Sequence, residues 1–245
     1  VARMHGSDVR VYFGKRDISG DLVSIDMSGT TETHDVTNFA SANFREFAPG
    51  QSSWEASFSA LYQTEATPGL TTISRQLDAL FGLNTADTQV LSVYDGDADL
   101  AGDRGWLGGD AVLNKVTEPI SVGDMIKMTA TIQGNGSLGL NGTLLAPLAT
   151  VTTATNGTSV DNAASTANGM RANLHVTAVT GTGGTVKVQH SSDNSTWVDF
   201  HTFTAATAAT SQTKTATGTV NRYLRSVITP AGSSGLTCVV GAARY

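Results

Sequence analysis

The chain has 245 residues, enough for one large domain or two ordinary ones, and carries a formal net charge of −6. Hydrophobic residues make up 40% and charged residues only 15%, low for a soluble enzyme, and the composition favours many short strands joined by glycine-rich turns. Cys238 is the single cysteine, which excludes an internal disulfide and a cysteine-based zinc site, and no run of 18 apolar residues is present to span a membrane.

In chain order, the opening VARMHGSDVR lacks the apolar core of a secretion signal. It reads as a chain that has lost its initiator Met, made in a reducing cytoplasm or acting in a particle assembled there. DVRVYF (8–13) reads as a strand, with Val9, Val11 and Phe13 alternating against Arg10 and Tyr12. A second strand is expected over Asp21 to Met27. DVTNFASANFREFAPGQSS (35–53) then carries Phe39, Phe44 and Phe47 with neither a 2 nor a 3.6 period. Each phenylalanine gains roughly 1.5–3 kcal/mol on full burial, and three on one loop make an adhesive patch. Either they fold back over the sheet or a neighbouring subunit covers them. SWEASFSALY (53–62) is the clearest strand. Trp54, Ala56, Phe58, Ala60 and Tyr62 share one face, and Glu55, Ser57 and Ser59 the other.

The spacing of Leu70, Ile73, Leu77, Leu80 and Phe81 predicts one amphipathic helix over 68–82, capped by Thr71 or Thr72 and closed by Gly82. Strands resume with QVLSVY (89–94), then AVLNKVTEPI (111–120) after an acidic loop. DMIKMTATIQGNG (124–136) follows, with Ile126, Met128, Ala130 and Ile132 facing inward.

Composition shifts near 148. Residues 1–148 hold 9 basic and 18 acidic residues, net −9, and residues 149–245 hold 6 and 3, net +3. The asymmetry predicts two domains, 1–148 and 149–245, with 149–169 as a linker or a weak first strand. In the second, RANLHVTAV, TVKVQHS, TWVDFHTF, RYLRSVIT and LTCVVGAA are spaced as a small antiparallel sandwich.

Chemistry finds little support. DGDADLAGDRG (95–105) gathers Asp95, Asp97, Asp99 and Asp103, but a calcium loop of the EF-hand kind counted from Asp95 needs Gly and Glu where Leu100 and Trp106 stand. A solvated hairpin turn is the expectation. His5, His34, His175, His190 and His201 have no metal-ligand spacing. SSDNST (191–196) reads as a turn, because a triad is assembled across a fold. Phosphate loops, GxSxG and HExxH are absent from the sequence. The Asn-x-Ser/Thr triplets at Asn135, Asn141, Asn156 and Asn194 read as chance products of a Thr- and Asn-rich chain. The acidic first half repels phosphates, which argues against nucleic-acid binding by a basic face. No enzyme and no cofactor is expected.

The order of features has a precedent. F-G-x-x-D-I-S (Phe13 to Ser19), the strand LVSIDM, D-V-T (Asp35 to Thr37), the long loop, the Trp-led strand, the helix and a last strand before GNGSLG follow one another. Over roughly residues 5–147 this resembles the tail tube (major tail) proteins of long-tailed bacteriophages. The second half, above all VKVQHSSDNSTWVDF (186–200), resembles the Ig-like or sandwich modules appended to phage tail and capsid proteins. The resemblance implies a mainly β chain: a tube-like β-sandwich or barrel with one flanking α-helix, plus a C-terminal antiparallel β-sandwich. It implies six subunits closing a ring, rings stacking into a tube around a tape-measure protein, and later passage of DNA. A loop after the second strand, here Asp35 to Gly50 with Phe39, Phe44, Arg45 and Phe47, reaches adjacent subunits. Net −9 on the ring-forming part suits a wall to which DNA does not stick. The Asp95–Asp103 loop is left facing the lumen, a neighbouring ring or solvent. The protein is then expected in the virion tail, assembled in the host cytoplasm, with no membrane insertion. An outer C-terminal sandwich is expected to contact a host surface or glycan. The alternative is a capsid decoration or carbohydrate-binding protein, for which the second half offers Trp197, Tyr223 and Tyr245, with Trp197 expected in the core.

Overall fold

The computed structural model describes residues 8–20, 22–41, 44–61, 89–96, 99–118, 127–136 and 139–245. Their strands are β1 (Arg10–Phe13), β2 (Arg16–Asp17), β3 (Leu22–Asp35), β4 (Phe47–Leu61), β5 (Gln89–Tyr94), β6 (Arg104–Thr117), β7 (Lys127–Gly134) and β8 (Leu140–Val151). The remainder holds β9 (Thr155–Asn156), β10 (Val160–Asp161), β11 (Met170–Thr180), β12 (Gly184–Ser191), β13 (Val198–Thr202), β14 (Thr210–Ala216), β15 (Tyr223–Pro230) and β16 (Gly235–Arg244). The expected mainly β, antiparallel character is present. The helix expected over 68–82 lies outside the described residues, as do His5, Tyr62 and Ile126.

Two compact units divide the chain, each discontinuous. One comprises Val1–Asp21, Asp87–Ala111 and Leu140–Tyr245, the other Leu22–Ala86 and Val112–Gly139. The expected cut at 148 falls inside β8. That strand pairs with β6 through Arg104↔Thr143 to Leu107↔Leu140 and with β16 through Leu236↔Val151 to Ala242↔Thr143. Backbone pairing therefore welds strands of the first half to strands of the second.

In the first unit, the strand order β14-β11-β16-β8-β6-β5-β1-β2 makes one sheet, and β10-β15-β12-β13 with β9 on β15 makes a second. The sheets pack face to face. Met170, Ala172, Leu174 and Val176 of β11 and Leu236, Cys238, Val240 and Ala242 of β16 meet Val186, Val188, Leu224 and Ile228. This is the sandwich expected of the second half, but one of its sheets continues into N-terminal strands.

The other face of β11 is also closed. Arg171, Asn173 and His175 are 3% exposed or less. The long sheet returns on itself, so that β1, β5 and β6 supply partners. Arg171 Nη1 donates to the Leu107 carbonyl, and Asn173 Nδ2 donates to Ser92 Oγ at 3.0 Å. His175 Nδ1 lies 2.7 Å from the Gly14 carbonyl and Nε2 2.9 Å from Ser92 Oγ. A carbonyl only accepts, so Nδ1 carries the proton and Nε2 accepts from the Ser92 hydroxyl. Beside this polar row Tyr12, Tyr94, Leu107, Leu144, Val239 and Ala243 form a second apolar cluster. Tyr94 fits because Gly105 and Gly241 face its ring, where a Cβ on either would collide with it.

The second unit is built on β3, β4 and β7. β3 pairs with β4 from Leu22↔Ala60 to Asp35↔Phe47, and β4 with β7 from Glu55↔Gln133 to Leu61↔Lys127. One face buries Trp54, Ala56, Phe58 and Ala60 with Met128, Ala130 and Ile132. The alternation expected for β4 is thus present in full over its described residues.

Candidate functional site

β3 and β4 are much longer than the sequence suggests. The loop expected from Asp35 to Gly50 is a strand at both ends, since Asp35 closes β3 and Phe47 to Gly50 open β4. The connection shrinks to residues 36–46. Beyond Trp54, from Thr30↔Ser53 outward, the two strands form a ribbon, and every β3 residue from Asp26 to Asp35 is exposed. A strand buried on neither face is under no selection for alternation, so TTETHD and APGQSS carry no period-2 signal. Cross-strand hydroxyl pairs hold the register instead: Ser24–Ser59 at 2.9 Å, Thr30–Ser53 at 3.1 Å and Thr31–Ser52 at 2.8 Å.

Among the described residues of the tip, short polar groups bond one another. Asp35 accepts from the Thr37 N–H, Thr37 Oγ1 accepts from the Glu46 N–H, and Val36 N–H donates to the Glu46 carbonyl. Asn38 Oδ1 accepts from Ala40 N–H, and Ser41 Oγ from Asn38 N–H. These are Asx- and Ser-turn bonds that fix a loop without a core. The Thr37 hydroxyl, and then its N–H, hold the Asp35 carboxyl below the usual range. Arg45 stands 3.9 Å from Asp35 in the open, a contact of little weight.

What this frame presents is apolar. Phe39 is fully exposed, Phe44 83% and Phe47 56%. Of the two alternatives the sequence leaves, folding back over the sheet is not what the chain does. Phe39, Phe44, Arg45 and Phe47, singled out from sequence, all fall on this tip.

The ribbon has a second feature that sequence reading only half anticipates. Opposite the apolar face, the register aligns Ser24 with Ser59, Asp26 with Ser57, Ser28 with Glu55 and Thr30 with Ser53. β7 extends the rows with Thr129, Thr131 and Gln133. These rows carry hydroxyls, one amide and two carboxylates, and no cation. The signal for it was Glu55, Ser57 and Ser59 alternating along β4.

The acidic loop belongs to the other unit, as the β5–β6 connection, and Asp97 lies outside the described residues. Asp103 turns inward on its own loop, accepting from the Leu100 N–H at 3.1 Å, while its backbone bonds Leu144. Asp95 lies 3.9 Å from Arg104. Gly96 and Gly102 adopt φ of 77° and 106°, where glycine is favoured. Asp99 is exposed. These carboxylates are not brought to one point, and among the described residues no group of three or more His, Cys, Asp or Glu is placed to hold a metal.

His175, His190 and His201 serve packing, while His34 is exposed on the ribbon. His175 is held as above, and burial lowers its pKa to about 4 against the opposing pull of the Gly14 bond. His201 Nε2 meets the Met170 carbonyl at 3.0 Å, and His190 Nδ1 accepts from Asn221 N–H.

No family model matches the chain, and no curated protein matches it. Among solved structures it is similar to a chain in the virion of a native gene transfer agent particle, at 17% identity and TM-score 0.42, covering 55% of this chain and 96% of that one. It is similar to the SPP1 tail tube at 12% identity and TM-score 0.40, covering 56% and 78%. The Dit (gp 19.1) protein of SPP1, described as a hub adsorption apparatus, is matched at 11% identity and TM-score 0.36 over 97% of this chain and 99% of that one. The structures that this chain resembles thus come from a gene transfer agent virion, a tail tube and a phage adsorption apparatus.

Proposed function

We propose that the chain is a structural subunit of a phage tail tube, whose copies close into hexameric rings that stack into a conduit for DNA. One observation carries this reading: a hairpin whose described residues display three exposed phenylalanines at the end of a ribbon exposed along β3. Covering those rings gains roughly 1.5–3 kcal/mol each on full burial. A second copy of the chain is the occupant that the tail-tube resemblance implies.

The hydroxyl-rich rows from Ser24–Ser59 to Thr30–Ser53, which Thr129, Thr131 and Gln133 extend, fit the same reading, with Lys127 one row further along β7. Rows of hydroxyls with Asp26 and Glu55 repel phosphates within about a Debye length, and Lys127 at their edge is a single cation against the two carboxylates. In such a tube they would line the passage, around a tape-measure protein before DNA moves. Assembly would take place in the host cytoplasm, and the product would reside in the virion.

Negative-stain microscopy of the purified protein tests the proposal. Rings and tubes are the expected image, and the Phe44→Ser/Phe47→Ser double variant should give single particles only. Isolated particles from the unaltered protein across assembly-promoting salt and concentration would overturn it.

A further inference from the structure

The second sheet of the first unit has an inner face in the core and an outer face that is polar but not random. Along β12 and β15, Val186, Val188, Leu224 and Ile228 point to the core, so Lys187, Gln189, Tyr223 and Arg225 lie outward. The register places Asp199, Gln189 and Arg225 in one row across β13, β12 and β15.

The row is bonded end to end. Lys187 Nζ donates to Asp199 Oδ2 at 2.6 Å, and Gln189 Nε2 to Asp199 Oδ1 at 2.7 Å. Gln189 Oε1 accepts from Arg225 Nε at 2.9 Å and Nη2 at 2.8 Å. The guanidinium then lies over the Trp197 ring, 4.2 Å from its centroid. Trp197, expected in the core, is instead a half-buried part of this outer face. Tyr223, two residues from Arg225 on β15, shares the face.

Stability is a poor explanation for the arrangement. The Lys187 and Asp199 side chains are 37% and 40% exposed, and pairs that open to water contribute little against the rotamer entropy of two long side chains. The row does fix planar donors and acceptors that keep spare valences. An ammonium has three N–H groups and a guanidinium five, while each carboxylate oxygen accepts more than once. The neighbouring Asp193, by contrast, is consumed by its own turn, accepting from Ser195 N–H, Thr196 N–H and Ser191 Oγ.

A flat row of fixed donors and acceptors beside an indole matches a pyranose. Vicinal hydroxyls each donate and accept, and because Arg225 and Arg222 lie over the Trp197 and Tyr223 rings, the match rests on the hydrogen-bonding row that Trp197 supports through Arg225. The row has two cations against one carboxylate, within a stretch (149–245) of net charge +3. We propose that the face formed by Lys187, Gln189, Asp199, Arg225, Trp197 and Tyr223 binds a saccharide chain bearing carboxylate or phosphate groups. The site does not depend on tube assembly, so its test stands apart from the microscopy above.

The full-length protein is applied to an array of uronate-, sialate- and phosphate-bearing glycans beside neutral glucans and mannans, and hits are titrated by calorimetry. Acidic glycans should bind and neutral ones should not. Trp197→Ala and Lys187→Gln should each weaken binding at least tenfold while the thermal midpoint of Lys187→Gln stays at the unaltered value. Three results would overturn the site: no acidic glycan retained at millimolar saccharide, retention of neutral glycans alone, or unchanged affinity in both variants.

Discussion

β11 and the outer half of the β3–β4 ribbon both mix polar with apolar residues, and they occupy opposite environments. On β11, Asn173 and His175 are wholly buried and bonded to β5 and to the turn after β1. On the ribbon, residues 26–40 are all exposed, Phe39 included. Polar groups are thus enclosed where apolar ones would be expected, and apolar groups are displayed where polar ones would be. The enclosed row ties the fold together across long stretches of chain. The displayed rings contribute little to the fold of one copy, which separates stability from assembly and lets mutation address each alone.

The largest effect expected is on the enclosed side. Removing residues 149–245 takes away β9 to β16 and cuts β8, leaving Tyr94, Leu107 and Leu144 without Val239 and Ala243. It also removes almost the whole of the main core. The remaining fragment should show no cooperative thermal transition by near-ultraviolet circular dichroism and should elute as aggregate. A sharp transition from residues 1–148 would mean that the shared sheet is dispensable, and would restore the simple division at 148.

A smaller loss should follow from one side chain. His175→Leu leaves the Gly14 carbonyl and the Ser92 hydroxyl short of a partner in a dry interior, at a cost of about 2–4 kcal/mol. The same residue sets a pH dependence. Its folded pKa, about 4, lies below the ordinary 6.5, so between these values the unfolded chain binds the extra proton. Stability from this group is full above pH 6.5 and falls as pH drops toward 4, by about 3 kcal/mol in all. Burial pushes His201 in the same direction, so the reading needed is a difference. Urea denaturation of the unaltered protein and of His175→Gln should converge on lowering the pH from 7 to 4. Parallel curves would show that His175 titrates in the folded chain much as it does unfolded.

Much of this was legible in the residues, and the failures have physical causes. β4 and β7 were read correctly because one face is buried and one is not, which is the condition for alternation. The tip was found because three phenylalanines without a period demand shelter. The ribbon behind it was read as loop because a two-sided exposed strand leaves no pattern. The closed back of β11 leaves no signal in the sequence because its partners are remote: Ser92 is 83 residues from His175 and Gly14 is 161. No local spacing reports such a pairing. The charge shift at 148 is real, yet charge describes surfaces, and the sheet runs through β8 regardless. Trp197 is expected in the core from its place just after a turn, while the side chain that stacks on it, Arg225, lies on another strand.

The smallest effect on the fold should come from the displayed side, where it is most informative. Phe44 and Phe47 lose little burial when replaced by Ser, because they are 83% and 56% exposed in one copy. The tip's hydrogen bonds run through Asp35, Thr37, Asn38, Ser41 and Glu46, none of which the substitution touches. Unfolding of the double variant, followed at dilutions where the unaltered protein is monomeric, should differ by no more than about 0.5 kcal/mol. At higher concentration the unaltered protein alone should gain apparent stability, because partners that bind only the folded form raise it by mass action. A loss above about 1.5 kcal/mol in the dilute monomer would place those rings against their own chain in solution, and the hairpin would then be part of the fold.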